Sequence, residues 1–204
     1  MLTIRQKSSF LFDCLPSFQE GYLEVENNHK IYYEQYGNPN GQPILFLHGG
    51  PGAGFSNSHK AFFDPKIFRV IFFDQRGSGK SVPYSETEYN NTQYLIADIE
   101  KLRHFLKIDK WYLFGGSWGS TLAMLYGIQF PKKCLGFILR GIFLGTLDEI
   151  NWFLYDISKF FPEAHNKFIS RVPIIHRNNV LEWFYKQLRT NDRSLSLEVA
   201  SVWA

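Results

Sequence analysis

Gly115-Gly116-Ser117-Trp118-Gly119 is the stretch on which the reading of this chain turns. It fits the pattern G-x-S-x-G. The apolar run Trp111-Tyr112-Leu113-Phe114 leads into it, and a helical segment leaves it and runs to about Phe130, where Pro131 stops it. A serine between such a strand and such a helix sits on a sharp, strained turn that lifts its hydroxyl to the strand's end. The positive end of the following helix favours negative charge developing there. Glycine at 115 and 119 lets neighbouring chain pass close to the serine. The sequence therefore predicts Ser117 as a nucleophile.

Working outward, further apolar runs read as strands covered on both faces: Ile44-Leu45-Phe46-Leu47, Val70-Ile71-Phe72-Phe73 and Leu135-Gly136-Phe137-Ile138-Leu139. Ahead of them, Gly21–Val25 and Lys30–Tyr36 flank the turn Glu26-Asn27-Asn28-His29 and read as an antiparallel pair. Leu95, Ile99, Leu102 and Leu106 lay one apolar stripe along a helix over 92–107, with Asn91 or Thr92 as its cap. Strands alternating with helices predict an α/β chain with a mostly parallel, doubly wound sheet of about six strands. After about Gly145 the strand-like runs stop. Helical, aromatic-rich segments follow at 148–161, 163–170, 178–190 and 194–203, punctuated by Pro162 and Pro173. The expected organisation is a core over 1–145 and the start of a helical cap over 146–204.

His48-Gly49-Gly50-Pro51-Gly52 directly follows the strand at 44–47. Glycines in such a loop let backbone N–H groups approach a tetrahedral oxyanion. Gly50 and Trp118, the residue after the nucleophile, are the expected donors. His48 lies in that loop, on the wrong side of Ser117 in chain order for a general base. Asp74-Gln75-Arg76-Gly77-Ser78-Gly79-Lys80-Ser81 imitates a phosphate loop, but aspartate stands where the first glycine belongs, and the dinucleotide pattern from Gly77 fails at Val82. Asp74 and Arg76 are expected to pin neighbouring loops instead. The six histidines show no metal-binding spacing, and His104 reads as a solvated position.

The bulk numbers narrow the field. Lys and Arg number 22 against 19 Asp and Glu, a formal charge of +3 and no dense basic run, which excludes a nucleic-acid footprint. No apolar run approaches the ~20 residues a membrane span needs. Met1–Lys7 lack the apolar stretch of a signal peptide, so a cytoplasmic location is expected. Cys14 and Cys134 match no metal spacing, and Cys134 reads as a small buried hydrophobe. The aromatic share of 18% has two explanations, coding bias or an aromatic substrate pocket.

Taken together these motifs resemble the proline iminopeptidase family, serine aminopeptidases of the α/β-hydrolase superfamily. The resemblance rests on His48–Gly52, Asp74–Ser81, Ala97–Arg103, Phe114–Ala123 and Leu139–Phe143, and runs from about residue 15 to the end. It implies an α/β-hydrolase fold, small peptides with an N-terminal proline as substrates, and no cofactor. It implies that Phe143 and Phe153 line a pocket for the proline ring. It also implies an acid and a histidine on loops after late strands, in the order Ser, Asp or Glu, His.

No strand-like run follows residue 145, and Asp148, Asp156, Asp192, His165 and His176 all fall in the predicted cap helices or their links. The last strands of the family's sheet are therefore expected to be missing, together with the triad acid and base. Ala204 stands where the family's cap carries a glutamate that holds the substrate amine. Two rival readings stay open: a non-catalytic remnant or half of a split protein, and another hydrolase of the same fold, such as an esterase.

Overall fold

The computed structural model describes residues 11–203. The expectations for Met1–Lys7 and for Ala204 fall outside that range. The chain divides into two compact units, Met1–Leu144 and Gly145–Ala204.

The first unit is built on a six-stranded sheet. Its strands are β1 (Gln19–Glu24), β2 (Lys30–Gly37), β3 (Gln42–Leu47), β4 (Phe68–Phe73), β5 (Trp111–Ser117) and β6 (Cys134–Ile142), in the order β1-β2-β4-β3-β5-β6. β1 pairs antiparallel with β2, and β2 with β4, while the β4-β3-β5-β6 pairings are parallel. Alternation along the strands sorts their apolar residues onto two faces. Leu45, Leu47, Ile71, Phe73 and Leu113 meet the stripe Leu95, Ile99, Leu102 of α1 (Thr92–Phe105) and Leu122, Ala123, Tyr126 of α2 (Trp118–Gln129). Ile44, Phe46, Val70 and Phe72 face the other way and pack with Tyr36, Phe63, Phe55 and Phe114. Much of the chain's aromatic content in this unit is thus core: Phe46 alone packs its ring against those of Phe63, Phe72 and Phe114.

Local chemistry sets the helix ends. Asn91 caps α1, its side-chain oxygen accepting from the Gln93 and Tyr94 amides at 3.0 and 3.3 Å. α2 ends at Gln129, with Pro131 two residues on. Its first residue directly follows Ser117, so the helix N-terminus begins at the serine.

β6 departs from the expectation of a strand covered on both faces. It is the edge strand, and Leu135, Phe137, Ile138 and Ile142 are 44–56% exposed. Cys134, expected to be buried, is half-buried.

The second unit is helical: α3 (Leu147–Leu154), α4 (Pro162–Ile169), α5 (Val180–Leu188) and α6 (Arg193–Trp203), packed around Leu154, Val172, Val180, Phe184 and Val199. The helix expected over 148–161 is interrupted. α3 stops at Leu154, whose carbonyl is bonded by His165 Nε2 at 2.9 Å, and a separate 3-10 turn covers Asp156–Lys159. The Tyr155 hydroxyl accepts from the Val180 amide at 3.2 Å, a tie between elements that no local pattern encodes.

Candidate active site

The ends of β3, β4 and β5 converge on Ser117. This residue is exposed at the tip of β5 with φ +53° and ψ −125°, a conformation L-residues rarely adopt. Such strain persists only where surrounding structure over-determines it. Here the surroundings are glycines in backbone contact. A methyl on Gly115 would lie 2.3 Å from the Gly119 carbonyl oxygen, and one on Gly119 would lie 2.1 Å from that of Leu47. The Ser120 hydroxyl adds a tether, donating to the Ser117 carbonyl at 2.6 Å and accepting from the Phe143 amide at 3.1 Å. Thr121 Oγ1 donates to the Phe143 carbonyl at 2.5 Å. Half-buried Phe143 is therefore held by its backbone to the first turn of α2.

The loop after β3 runs beside the serine. A Cβ on Gly49 would meet Ser117 Cβ at 3.3 Å and the Gly116 carbonyl at 3.0 Å. Gly50 has φ +117°, and a Cβ there would fall 2.6 Å from the Gly52 amide nitrogen. Both positions need glycine, the first for close approach to the serine and the second for its conformation.

His48 is buried and structural. Its Nδ1 bonds the Gly49 carbonyl at 2.9 Å, so Nε2 is free to accept the Gln75 amide at 3.0 Å. Burial holds its pKa below the ordinary value, which keeps the neutral ring that this pattern requires.

After β4, Asp74 takes the Phe55 amide on one carboxylate oxygen and the Lys80 amide on the other, at 2.9 and 2.8 Å. Arg76 makes a two-pronged, buried ion pair with Asp98 on α1 at 2.6 and 2.8 Å, donates to the Tyr89 carbonyl, and lies over the Tyr94 ring. Burial pushes the Asp98 carboxyl up, against the pull of Arg76. Both residues pin loops, as their sequence context suggests. A cavity of 430 Å³ adjoins the site, lined in part by Pro51, Gly52, Gln75, Asn90, Thr92 and Trp118.

Within this unit the described histidines are engaged elsewhere: His29 with the Glu88 carbonyl, His48 as above, His59 with the Ser56 amide and exposed His104 with Glu100. Phe153 belongs to the helical unit, where it is 59% exposed and lines a 250 Å³ cavity with Ile157, Phe161, His165, Phe168 and Trp203. Among the described residues no group of His, Cys, Asp or Glu is arranged to hold a metal, and no helix is long and apolar enough to cross a membrane.

Sequence reasoning passed over Gly49, Gln75 and Ser120. Ser120 lies only three residues from Ser117, but its partner Phe143 lies 23 away in sequence. Gln75 stands between two residues whose roles were legible, and its own partners are 27 and 43 residues distant.

A sequence profile described as alpha/beta hydrolase fold matches residues 42–199. Curated relatives include a protein named "Probable proline iminopeptidase" from Leptolyngbya boryana, 46% identical over 95% of this chain and 61% of its own length. Another, named "Proline iminopeptidase", from Neisseria gonorrhoeae, is 43% identical over 95% of this chain and 63% of its own. The chain thus spans about three fifths of these relatives. Among solved structures, a proline iminopeptidase-related protein of Thermus thermophilus superposes with a TM-score of 0.52 at 30% identity, over 59% of this chain and 43% of that one.

Proposed function

The chain belongs to the α/β-hydrolase family, and from that premise we propose that Ser117 is the nucleophile of a serine aminopeptidase that releases proline from the N-termini of peptides. The observation that carries this reading is the conformation of Ser117: exposed at the end of β5, at φ +53°, with α2 beginning at the next residue. The names of the curated relatives support the substrate class.

In the proposed reaction Ser117 Oγ attacks the carbonyl carbon of the N-terminal proline. The Gly50 and Trp118 amides hold the resulting oxyanion. Collapse breaks the peptide bond, leaves prolyl ester on Ser117, and delivers the proton taken from the Ser117 hydroxyl to the departing amine; water then hydrolyses the ester, freeing proline and restoring the hydroxyl. The chemistry requires no cofactor. Phe143 is the proposed apolar wall for the pyrrolidine ring.

The serine's proton acceptor is the unfilled role. Every described histidine of the first unit is committed to another partner, so we assign the base and its orienting acid to chain outside residues 11–144. A triad serine without its base loses on the order of a millionfold in kcat but keeps the contributions of oxyanion hole and binding.

The test supplies the base from solution. The chain is incubated with a proline aryl ester and imidazole, and the Ser117 peptide is examined by mass spectrometry. A prolyl adduct that depends on imidazole and vanishes in Ser117→Ala is expected. An adduct insensitive to that substitution, or none, overturns the nucleophile. Equal labelling by an acetyl ester overturns the proline preference and favours an esterase. Fast release of proline from a proline arylamide without imidazole, abolished by replacing a histidine within 11–144, overturns the assignment of the base.

A further inference from the structure

Two backbone amides from different loops must stay in register if they are to hold one oxyanion, and the structure shows a single side chain bonded both to His48, two residues before Gly50, and to Trp118. Gln75, buried at the end of β4, reaches both. Its Nε2 donates to the His48 carbonyl at 3.0 Å, at the root of the Gly49-Gly50 loop. Its Oε1 accepts from Trp118 Nε1 at 3.0 Å, the side chain of the residue that follows the nucleophile. Its backbone amide donates to His48 Nε2 at 3.0 Å, and its carbonyl accepts from the Ser78 hydroxyl at 2.7 Å. Its amide head is thus bonded at both ends, and its backbone is fixed on both sides.

We propose that Gln75 is a positioning residue that clamps the loop after β3 to Trp118 and so fixes the spacing between the Gly50 and Trp118 amides. This rests on the reading of Ser117 as nucleophile. Three features favour a clamp over simple core filling. The bonds run to two different elements, β3's loop and α2. Each uses a different atom of one rigid, planar amide, so movement of either loop strains the other contact. Third, the other side-chain ties at the site hold one loop at a time: Ser120 bonds the Ser117 carbonyl and the Phe143 amide, and Asp74 the Phe55 amide. Leucine at 75 would preserve volume while leaving the His48 carbonyl and the Trp118 indole without their partner. Glutamate would keep the acceptor for Trp118 but remove the donor to His48.

Two readouts test the clamp on the intact chain. The first is the indole N–H resonance of Trp118 in a ¹⁵N spectrum, assigned with Trp118→Phe. Gln75→Leu should shift it and speed its exchange with solvent, whereas Gln75→Glu should leave its exchange slow. The second is the imidazole-assisted acylation of Ser117 at saturating ester. Gln75→Leu and Trp118→Phe should each slow it about 10- to 100-fold, and the double variant should be little slower than either single one. Urea denaturation of each variant separates slowed acylation from unfolding. An indole resonance unmoved by Gln75→Leu overturns the clamp whatever the acylation shows. A moved resonance with unchanged acylation, or losses that multiply in the double variant, overturns its positioning role. Failure of the wild-type chain to acylate at Ser117 overturns the nucleophile reading and the clamp's purpose with it, while the resonance still decides the bond.

Discussion

Gly119 runs so close to Leu47 that a methyl group on its Cα would lie 2.1 Å from the Leu47 carbonyl oxygen and 3.0 Å from that of His48. The end of β3 and the first turn of α2 are therefore in backbone contact behind Ser117. Backbone cannot swing away as a flexible side chain can. Gly119→Ala should cost about 3 kcal/mol or more, the upper range for overpacking, read as a lowered urea midpoint. A loss under about 0.5 kcal/mol, the level of an ordinary surface change, would contradict the contact.

Ser117 predicts a gain of stability when glycine replaces it. A non-glycine residue held in such a region stores about 1–3 kcal/mol, and glycine returns about 0.5–1 kcal/mol of that as unfolded-state entropy. Ser117→Gly should thus be more stable than the wild type by about 1 kcal/mol, while Ser117→Ala, which keeps the Cβ, should not. Both should fail to acquire the prolyl adduct. Equal stability of the two variants would argue against strain at this position.

Arg76 and Asp98 form a buried ion pair, 2.6 Å at its shorter contact, with side-chain exposures of 0% and 3%. Removing one partner leaves the other charge unpaired. Arg76→Met should destabilise by about 3–5 kcal/mol, and the double substitution Arg76→Met, Asp98→Leu should cost less than the single one. Chemical denaturation at neutral pH measures both. A double variant as unstable as the sum of its parts would show that the two charges are not coupled.

His48 gives the pH dependence. Its folded pKa lies below 6.5 because it is buried, so between that folded value and 6.5 the unfolded chain binds the additional proton. The contribution is fully present above about pH 6.5 and is lost as pH falls toward the folded pKa. Protonation would place a hydrogen on Nε2, which now accepts the Gln75 amide. Half-buried His59 is lowered by burial as well and acts in the same direction. Urea midpoints taken from pH 7.5 downward should fall below pH 6.5 in the wild type and fall less steeply in His48→Gln. Parallel curves would remove His48 from the account.

β6 combines a free edge with apolar side chains exposed on both of its faces, Phe137 on one and Ile138 on the other. An unprotected apolar edge recruits other strands. The chain should self-associate as its concentration rises, and Ile138→Lys should suppress this without lowering the urea midpoint measured on dilute protein. Light scattering that stays flat with concentration in the wild type would refute it.

The sequence by itself determined what is encoded locally. Alternating and continuous apolar runs placed all six described strands. The stripe of Leu95, Ile99 and Leu102 placed α1, Asn91 its start, and Pro131 the end of α2. G-x-S-x-G between a strand and a helix marked Ser117, because a sharp turn imposes small residues at fixed offsets. Tertiary structure alone decided the rest. Gln75 meets Trp118 across 43 residues, Gly119 of α2 meets Leu47 of β3, and Ser120 ties Ser117 to Phe143. It also decided that β6, as apolar as its neighbours, lies at an exposed edge, and that α3 breaks at Leu154, where His165 takes the last carbonyl. Periodicity, caps and turns leave their mark within a few residues of themselves. A hydrogen bond or a backbone contact between distant segments leaves none, because any residue with the right atom satisfies it once the fold has brought the two together.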